Sequence, residues 1–246
     1  MVTNCLDRGD YIGVLSEMRQ HQCLRAGDVE TWVFDLDNTL YPARYDLFAQ
    51  IDQRMGRFIA RKFGISTSEA KIIQKKYFHA HGTTLRGLML NHGIEPNAFL
   101  SYVHDVDVSV LPTDPRLHRA LEGLGGRKFV FTNASAAHAW RVLERVGIAS
   151  HFADVFDIFT AEFVPKPTPG VYDRLIRHCD FDPAKAAMID DIARNLRPAA
   201  DRGMLTVWVS NGDPTAPLEN DIDYVDHVTG DVAGWLSDAG VGTHRS

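Results

Sequence analysis

The stretch Thr31-Trp32-Val33-Phe34-Asp35-Leu36-Asp37-Asn38-Thr39 decides how the chain folds. Its first four residues are β-branched or aromatic, the pattern of a strand buried on both faces. The run then stops at two carboxylates one residue apart. The same event recurs downstream. Lys128-Phe129-Val130-Phe131 ends at Thr132-Asn133, and Ala186-Ala187-Met188-Ile189 ends at Asp190-Asp191. A short strand is expected within 155–160, another at Leu205-Thr206-Val207-Trp208-Val209, and a last one near 224–228. Helical patterns fill the intervals at 116–124, 135–146, 170–178 and 193–202. Strands alternating with helices predict an α/β fold, a doubly wound parallel Rossmann-like sheet. In such sheets the ligand site lies beyond the carboxyl ends of the strands.

Between the first and second strands the pattern changes. Leu47, Ile51, Met55 and Phe58-Ile59 recur at helical spacing, and Ser66-Thr67-Ser68-Glu69 reads as a helix start. Leu85, Leu88 and Met89 continue the period, and Glu95-Pro96 opens another helix. Asp37 and Thr132 are 95 positions apart, whereas Thr132 and Lys166 are only 34 apart, room for little beyond one crossover. A small all-helical cap inserted after the first strand follows. The expected division is an N-terminal extension at 1–28, a core at 29–45 and 111–246, and the cap at 46–110.

The 246 residues carry a net charge of −6, which argues against a nucleic acid polymer or an anionic membrane as partner. The longest apolar run is four residues, too short to span a bilayer, and the first 30 residues hold no apolar core of a secretory signal. Cys5, Cys23 and Cys179 are odd in number and far apart, so a reducing, cytoplasmic setting is the simplest expectation.

Asp35, Asp37, Asp190 and Asp191 should converge at one sheet edge beside Thr132 and Asn133. Taken singly, each pair is equally well read as the start of a turn. Together they repel one another and need a cation. Oxygen ligands without a Cys or His set favour Mg²⁺ before Ca²⁺. Lys166, held between Pro165 and Pro167, adds a positive charge. Mg²⁺, an ammonium and hydroxyl and N–H donors suit a phosphoryl group. A carboxylate can also act as a covalent nucleophile.

In this order the motifs resemble those of the haloacid dehalogenase superfamily. Asp35-Leu36-Asp37-Asn38-Thr39 is similar to its DxDxT signature, Thr132-Asn133 to its second motif, Lys166-Pro167 to its third, and Asp190-Asp191 with Asn195 to its fourth. Asn195 stands where many members have an acidic residue. The resemblance implies an aspartyl-phosphate on Asp35 and a general acid and base at Asp37. It implies Mg²⁺ held by Asp35, the Asp37 backbone carbonyl and Asp191, with Asp190 in support. Thr132 and the Asn133 amide would hold the phosphoryl oxygens, and Lys166 would orient Asp35. Dehalogenase members need no leaving-group acid and usually lack the second Asp, so Asp37 points to phosphoryl transfer.

The flanks Phe34–Pro42, Thr84-Leu85-Arg86-Gly87-Leu88, His104-Asp105-Val106-Asp107 and Ala161-Glu162-Phe163 resemble the pyrimidine 5′-nucleotidase branch. The function implied is hydrolysis of a small phosphate monoester, a pyrimidine nucleoside monophosphate, by a monomer or homodimer. A phosphatase for a sugar phosphate or phosphoglycolate is the alternative, and a phosphoaspartyl signalling protein the alternative of another class. Tyr41 could stack on a base or sugar, or pack between core and cap. Arg86 could bind substrate, or form a surface or cap-closing ion pair. His79, His81 and His92 read as a solvated face rather than a metal cluster, as do Lys71, Lys75 and Lys76. Gly123-Leu124-Gly125-Gly126 lacks phosphate-loop spacing and reads as a helix cap and turn.

Overall fold

A computed structural model describes residues 26–211 and 222–241. Residues 1–25 of the expected N-terminal extension lie outside them, Cys5 and Cys23 included. Six strands form one parallel sheet: β1 (Thr31–Phe34), β2 (Arg127–Phe131), β3 (Asp154–Phe156), β4 (Ala186–Asp190), β5 (Leu205–Val209) and β6 (His227–Thr229). Their order is β3-β2-β1-β4-β5-β6. The chain leaves β1 for one side of the sheet and returns at β4 for the other. That reversal opens the crevice in which doubly wound sheets bind ligands.

All residues of β1, β4 and β5 are buried, as parallel strands covered on both faces must be. Alternation splits their side chains between two apolar clusters. Trp32 and Phe34 pack with α5 (Pro115–Gly123), α6 (Ala136–Val146) and α9 (Val232–Val241). Val33, Phe131 and Met188 pack with α7 (Pro169–Cys179) on the other face. Each fully buried aliphatic or aromatic side chain stabilises the fold by about 1.5–3 kcal/mol.

Between β1 and β2 lie four helices, α1 (Leu47–Phe63), α2 (Thr67–His81), α3 (Thr84–His92) and α4 (Pro96–Val103). Ser66 caps α2 in a reciprocal pair with Glu69, as the motif predicts. Phe58 meets Phe99 edge-to-face at 5.1 Å, and Arg54 ties α1 to the Tyr102 carbonyl at 2.6 Å. Gly87 of α3 faces Tyr77 of α2 so closely that a Cβ would lie 2.4 Å from that ring. Gly87→Ala should therefore destabilise by about 1–3 kcal/mol through overpacking, read by urea unfolding. No change would mean that α2 and α3 can separate freely.

Three expectations need correction. The strand within 155–160 is only Asp154–Phe156. The last strand is His227–Thr229, later than 224–228. The helix expected over 193–202 is a 3₁₀ turn at Ala193–Asn195 followed by α8 (Arg197–Ala200). Its first residues wrap the Asp190 carboxylate instead, with the Ile192 N–H donating to Oδ1 at 2.9 Å, and Pro198 supplies no N–H to a longer helix. The Gly123–Gly126 segment is a helix end and turn. Gly126 sits at φ +81°, where a Cβ would strike the Glu30 carbonyl. Among the described residues no helix is long and apolar enough to cross a membrane.

Candidate active site

Register brings the polar strand ends together. Phe34 lies opposite Val130 of β2 and Ile189 of β4, and the Asp35 N–H extends the ladder to the Ile189 carbonyl at 2.8 Å. Asp35, Thr132 and Asp190 therefore emerge side by side. Lys166 enters from the loop before α7. It is 2% exposed, and its Nζ donates to Asp35 Oδ1 and Asp190 Oδ2, both at 2.7 Å. Thr39 Oγ1 donates to the other Asp35 oxygen at 3.2 Å.

The Asp190 carboxylate is occupied on both oxygens. Besides Lys166 and Ile192, it accepts from Asn195 Nδ2 at 2.9 and 3.2 Å. This accounts for an amide at 195, because an acidic residue there would set a further carboxylate against Asp190. Asn133 is also occupied. Its Oδ1 accepts the Lys166 N–H at 2.9 Å and its Nδ2 reaches the Lys166 carbonyl at 3.4 Å. The Asn133 side chain thus clamps the lysine loop, and the residue lines the cavity. Thr132 Oγ1 accepts from the Ala134 N–H at 3.0 Å, which leaves its own proton to donate.

Asp37 sits apart from this cluster. Its Oδ1 accepts from Tyr41 Oη at 2.5 Å and from His138 Nε2 at 3.4 Å. The Tyr41 ring is 3% exposed, so it offers no face for stacking on a base. Its hydroxyl serves Asp37, which corrects the substrate-binding expectation. Arg86 is partly buried on α3, a segment that lines the cavity through Thr83, Thr84 and Leu85. His81 and His92 both pack on the Tyr77 ring, with centroids 5.9 and 5.8 Å away. His92 Nε2 meets Tyr77 Oη at 2.6 Å, and His81 lies beside Asn91. Lys71 pairs with Asp52.

Asp35, Asp190 and Asp191 each offer an oxygen within 4.8 Å of the others, the one grouping among the described residues with metal-ligand character. Burial, with the nearby Asp190 and Asp37 charges, pushes Asp35 up to about 7 against the pull of Lys166. Burial and the charges of Asp35 and Asp190 push Asp191 up to about 9. Burial alone would lower Lys166, but Asp190 and Asp35 hold it well above its usual range. Burial pushes Asp37 up, yet the His138 and Tyr41 contacts outweigh it and hold this carboxyl below the usual range. One ammonium thus faces an excess of buried carboxylate oxygen. A hard divalent cation fits that donor set.

The cluster forms the floor of a cavity of about 430 Å³ between the sheet edge and the four inserted helices. Its far walls are largely apolar and include Phe48, Met55, Phe78, Phe99 and Val103.

Sequence reasoning passed over Thr39 as an Asp35 partner, and also His104 and His138. Nothing in the local sequence marks His138, which sits on the apolar face of a helix and meets Asp37 only in the fold.

Residues 29–203 match the family model of haloacid dehalogenase-like hydrolases. The chain is 28% identical over 197 residues to phosphate metabolism protein 8 of Saccharomyces cerevisiae, a match that covers 71% of this chain and 60% of that protein's length. A haloacid dehalogenase-type (HAD) phosphatase from Thermococcus onnurineus superposes with a TM-score of 0.60 at 20% identity, covering 89% of this chain and all of that one. The magnesium-bound HAD-hydrolase YfnB from Bacillus subtilis superposes with a TM-score of 0.56 at 15% identity, covering 88% and 99%. These two likenesses concern the fold alone. The strand order, the four motifs at one sheet edge and the match over 29–203 lead to one conclusion: the chain belongs to the haloacid dehalogenase-like hydrolase family.

Proposed function

We propose that the chain is a Mg²⁺-dependent phosphomonoester hydrolase that works through an aspartyl-phosphate on Asp35, with a pyrimidine nucleoside monophosphate as substrate. The observation that carries the reading is the contrast between two carboxylates in one site. Asp35 is buried against Lys166, whereas Asp37 is held separately by Tyr41 and His138. Two carboxylates in different environments can divide nucleophile from acid and base.

Asp35, Asp191 and the Asp37 backbone carbonyl would hold Mg²⁺, with Asp190 behind them. The bound ion would neutralise the phosphoryl oxygens and the carboxylates around them. Lys166 and Thr39 fix the Asp35 carboxylate so that one oxygen attacks phosphorus. The ester P–O bond breaks as the Asp35 O–P bond forms. Asp37 delivers a proton to the leaving oxygen. It is ionised in the free chain, and a dianionic phosphoryl group beside it favours proton uptake. Asp37 then takes a proton from water, whose oxygen displaces Asp35 from phosphorus. The Thr132 hydroxyl donates to a phosphoryl oxygen throughout. The cavity beyond, with Phe48, Phe78 and Phe99 in its walls, suits a planar leaving group of nucleoside size. The helices over 46–110 act as a cap that excludes water.

Phosphate release across a panel of phosphate monoesters, with and without Mg²⁺, tests this reading. Pyrimidine nucleoside monophosphates should lead in kcat/KM, and chelation should abolish turnover. Sugar phosphates or phosphoglycolate in the lead would move the substrate elsewhere. A stable acyl-phosphate after one turnover would favour a signalling role.

Stability offers a second check. Asp35 and Asp191 are raised in the folded chain, so the native state binds more protons than the unfolded state above the usual carboxylate range. Metal-free stability should fall through this pair as pH rises toward about 9. A divalent cation binds the deprotonated oxygens, so its effect should grow over the same window. The rise in Tm on adding Mg²⁺ should be larger at about pH 8.5 than at about pH 6. An equal rise at both would argue against these carboxylates as ligands.

A further inference from the structure

We propose that His138, stacked on His104, is a positioning residue that aims the Asp37 carboxyl at the leaving oxygen of the substrate. This rests on the phosphatase reading above. His138 is 1% exposed on α6, and a carboxylate can only accept, so its Nε2 carries the proton in the contact with Asp37. Both donors to Asp37, Tyr41 and His138, bind the same oxygen, Oδ1. Among the described residues no hydrogen bond engages Oδ2, and Asp37 lines the cavity. Two donors on one oxygen fix the carboxyl plane and leave the other oxygen for chemistry.

The ring itself is held from behind. The imidazoles of His104 and His138 stack at 4.5 Å with only 16° between their planes. Ser135, the N-cap of α6, accepts the His138 N–H at 3.4 Å and meets His104 Nδ1 at 2.9 Å. His104 closes α4, and its carbonyl accepts from Arg141 at 3.0 Å. Burial beside His138 pushes His104 down to about 3, so the stack does not oppose two cations. Thus the end of the helical insertion backs the ring that touches Asp37.

A packing role alone does not explain the ring. His138 Nδ1 is buried without a hydrogen-bond partner. An apolar side chain of similar size would fill that space without desolvating a polar nitrogen. The imidazole has one polar contact from its ring, and that contact is Asp37.

The test compares His138→Leu, His138→Gln and Asp37→Asn in the full chain with Mg²⁺, on p-nitrophenyl phosphate and on glycerol 2-phosphate. The first has a leaving group that needs little protonation, and the second needs it fully. His138→Leu should lose about 10–100-fold in kcat on glycerol 2-phosphate and only a few-fold on p-nitrophenyl phosphate, with KM nearly unchanged. His138→Gln, whose amide N–H falls near Nε2, should recover most of the alkyl-ester loss. Asp37→Asn should show the same pattern, larger.

Equal loss on both esters for His138→Leu, or no recovery with Gln in a folded variant, overturns the positioning role. Asp37→Asn without leaving-group dependence overturns the acid role and this inference together. Should the Leu variant fail to fold, His138→Asn replaces it, since its shorter amide falls short of Oδ1 and should give the same selective loss.

Discussion

Asp35→Asn is expected to remove turnover by on the order of 10⁴–10⁶-fold, the scale on which loss of a nucleophile reads in other enzymes. It should do so without loss of stability. Asparagine is nearly isosteric, and its carbonyl oxygen can still accept from Lys166 Nζ, 2.7 Å from Asp35 Oδ1 in the parent. The charge that disappears is one the fold disfavours. Burial raises Asp35 to about 7, so its ionised form is less favourable in the native chain than in the unfolded one. The sign follows directly. Above about pH 7 the parent carries that ionised carboxylate, and the variant does not. Urea unfolding at pH 8 without metal should therefore give the variant a stability equal to or above the parent's. Opposed shifts in activity and stability are the signature of a functional group held under strain. Activity near the parent's would remove Asp35 as nucleophile, and a large stability loss would mean that the carboxylate is structural.

The strand ends were legible because a buried parallel strand is a short, dense signal that polar residues terminate sharply. Asp35, Thr132, Lys166, Asp190 and Asp191 could be listed from such ends and from one proline-flanked loop. The structure gathers the three aspartates beside the Lys166 ammonium. Less legible was what each side chain touches. Tyr41 follows the nucleophile loop closely enough to suggest a substrate contact, yet the hydrogen-bonded turn over 36–40 brings its hydroxyl back to Asp37 and the residue is buried. Asn133 sits beside Thr132 at the strand end, but a tight loop places the Lys166 backbone within its reach.

The segment 193–202 shows a different failure. Its pattern suits a helix, and tertiary demand wins. The Asp190 carboxylate takes the Ile192 N–H and the Asn195 amide, so the chain turns around that anion before α8 begins. His138 is the clearest case of information absent from local sequence. Asp37 is 101 positions away, and only the packing of α6 under β1 brings the two together. Residues that act on each other across the sheet leave no spacing to read.

Lys166→Met is expected to produce the largest stability loss of any single change in the site. Lys166 is fully enclosed, and its ammonium lies 2.7 Å from carboxylates of both Asp35 and Asp190. Methionine keeps most of the stem and removes only the charge. Breaking a buried ion pair from one side costs about 3–5 kcal/mol, because the partner stays buried and uncompensated. Against a typical total of about 5–15 kcal/mol, that is a large fraction. Asp35 is raised to about 7 even beside the ammonium and should then hold its proton to higher pH, so the deficit should shrink as pH falls toward about 7, by the same linkage. Activity would fall too, and that alone would not separate a folding defect from a chemical one. A second substitution does. In Lys166→Met with Asp190→Asn, one of the two stranded charges is gone, while an amide at 190 can still engage Ile192 and Asn195. The double variant should be more stable than Lys166→Met alone, and the two changes should be strongly non-additive, as expected for residues in one contact network. Simple additivity, or a Lys166→Met chain as stable as its parent at pH 7, would mean that the ammonium is not what holds these carboxylates together. Recovery of stability without recovery of turnover would assign the lysine both tasks, neutralising Asp190 for the fold and orienting Asp35 for the chemistry.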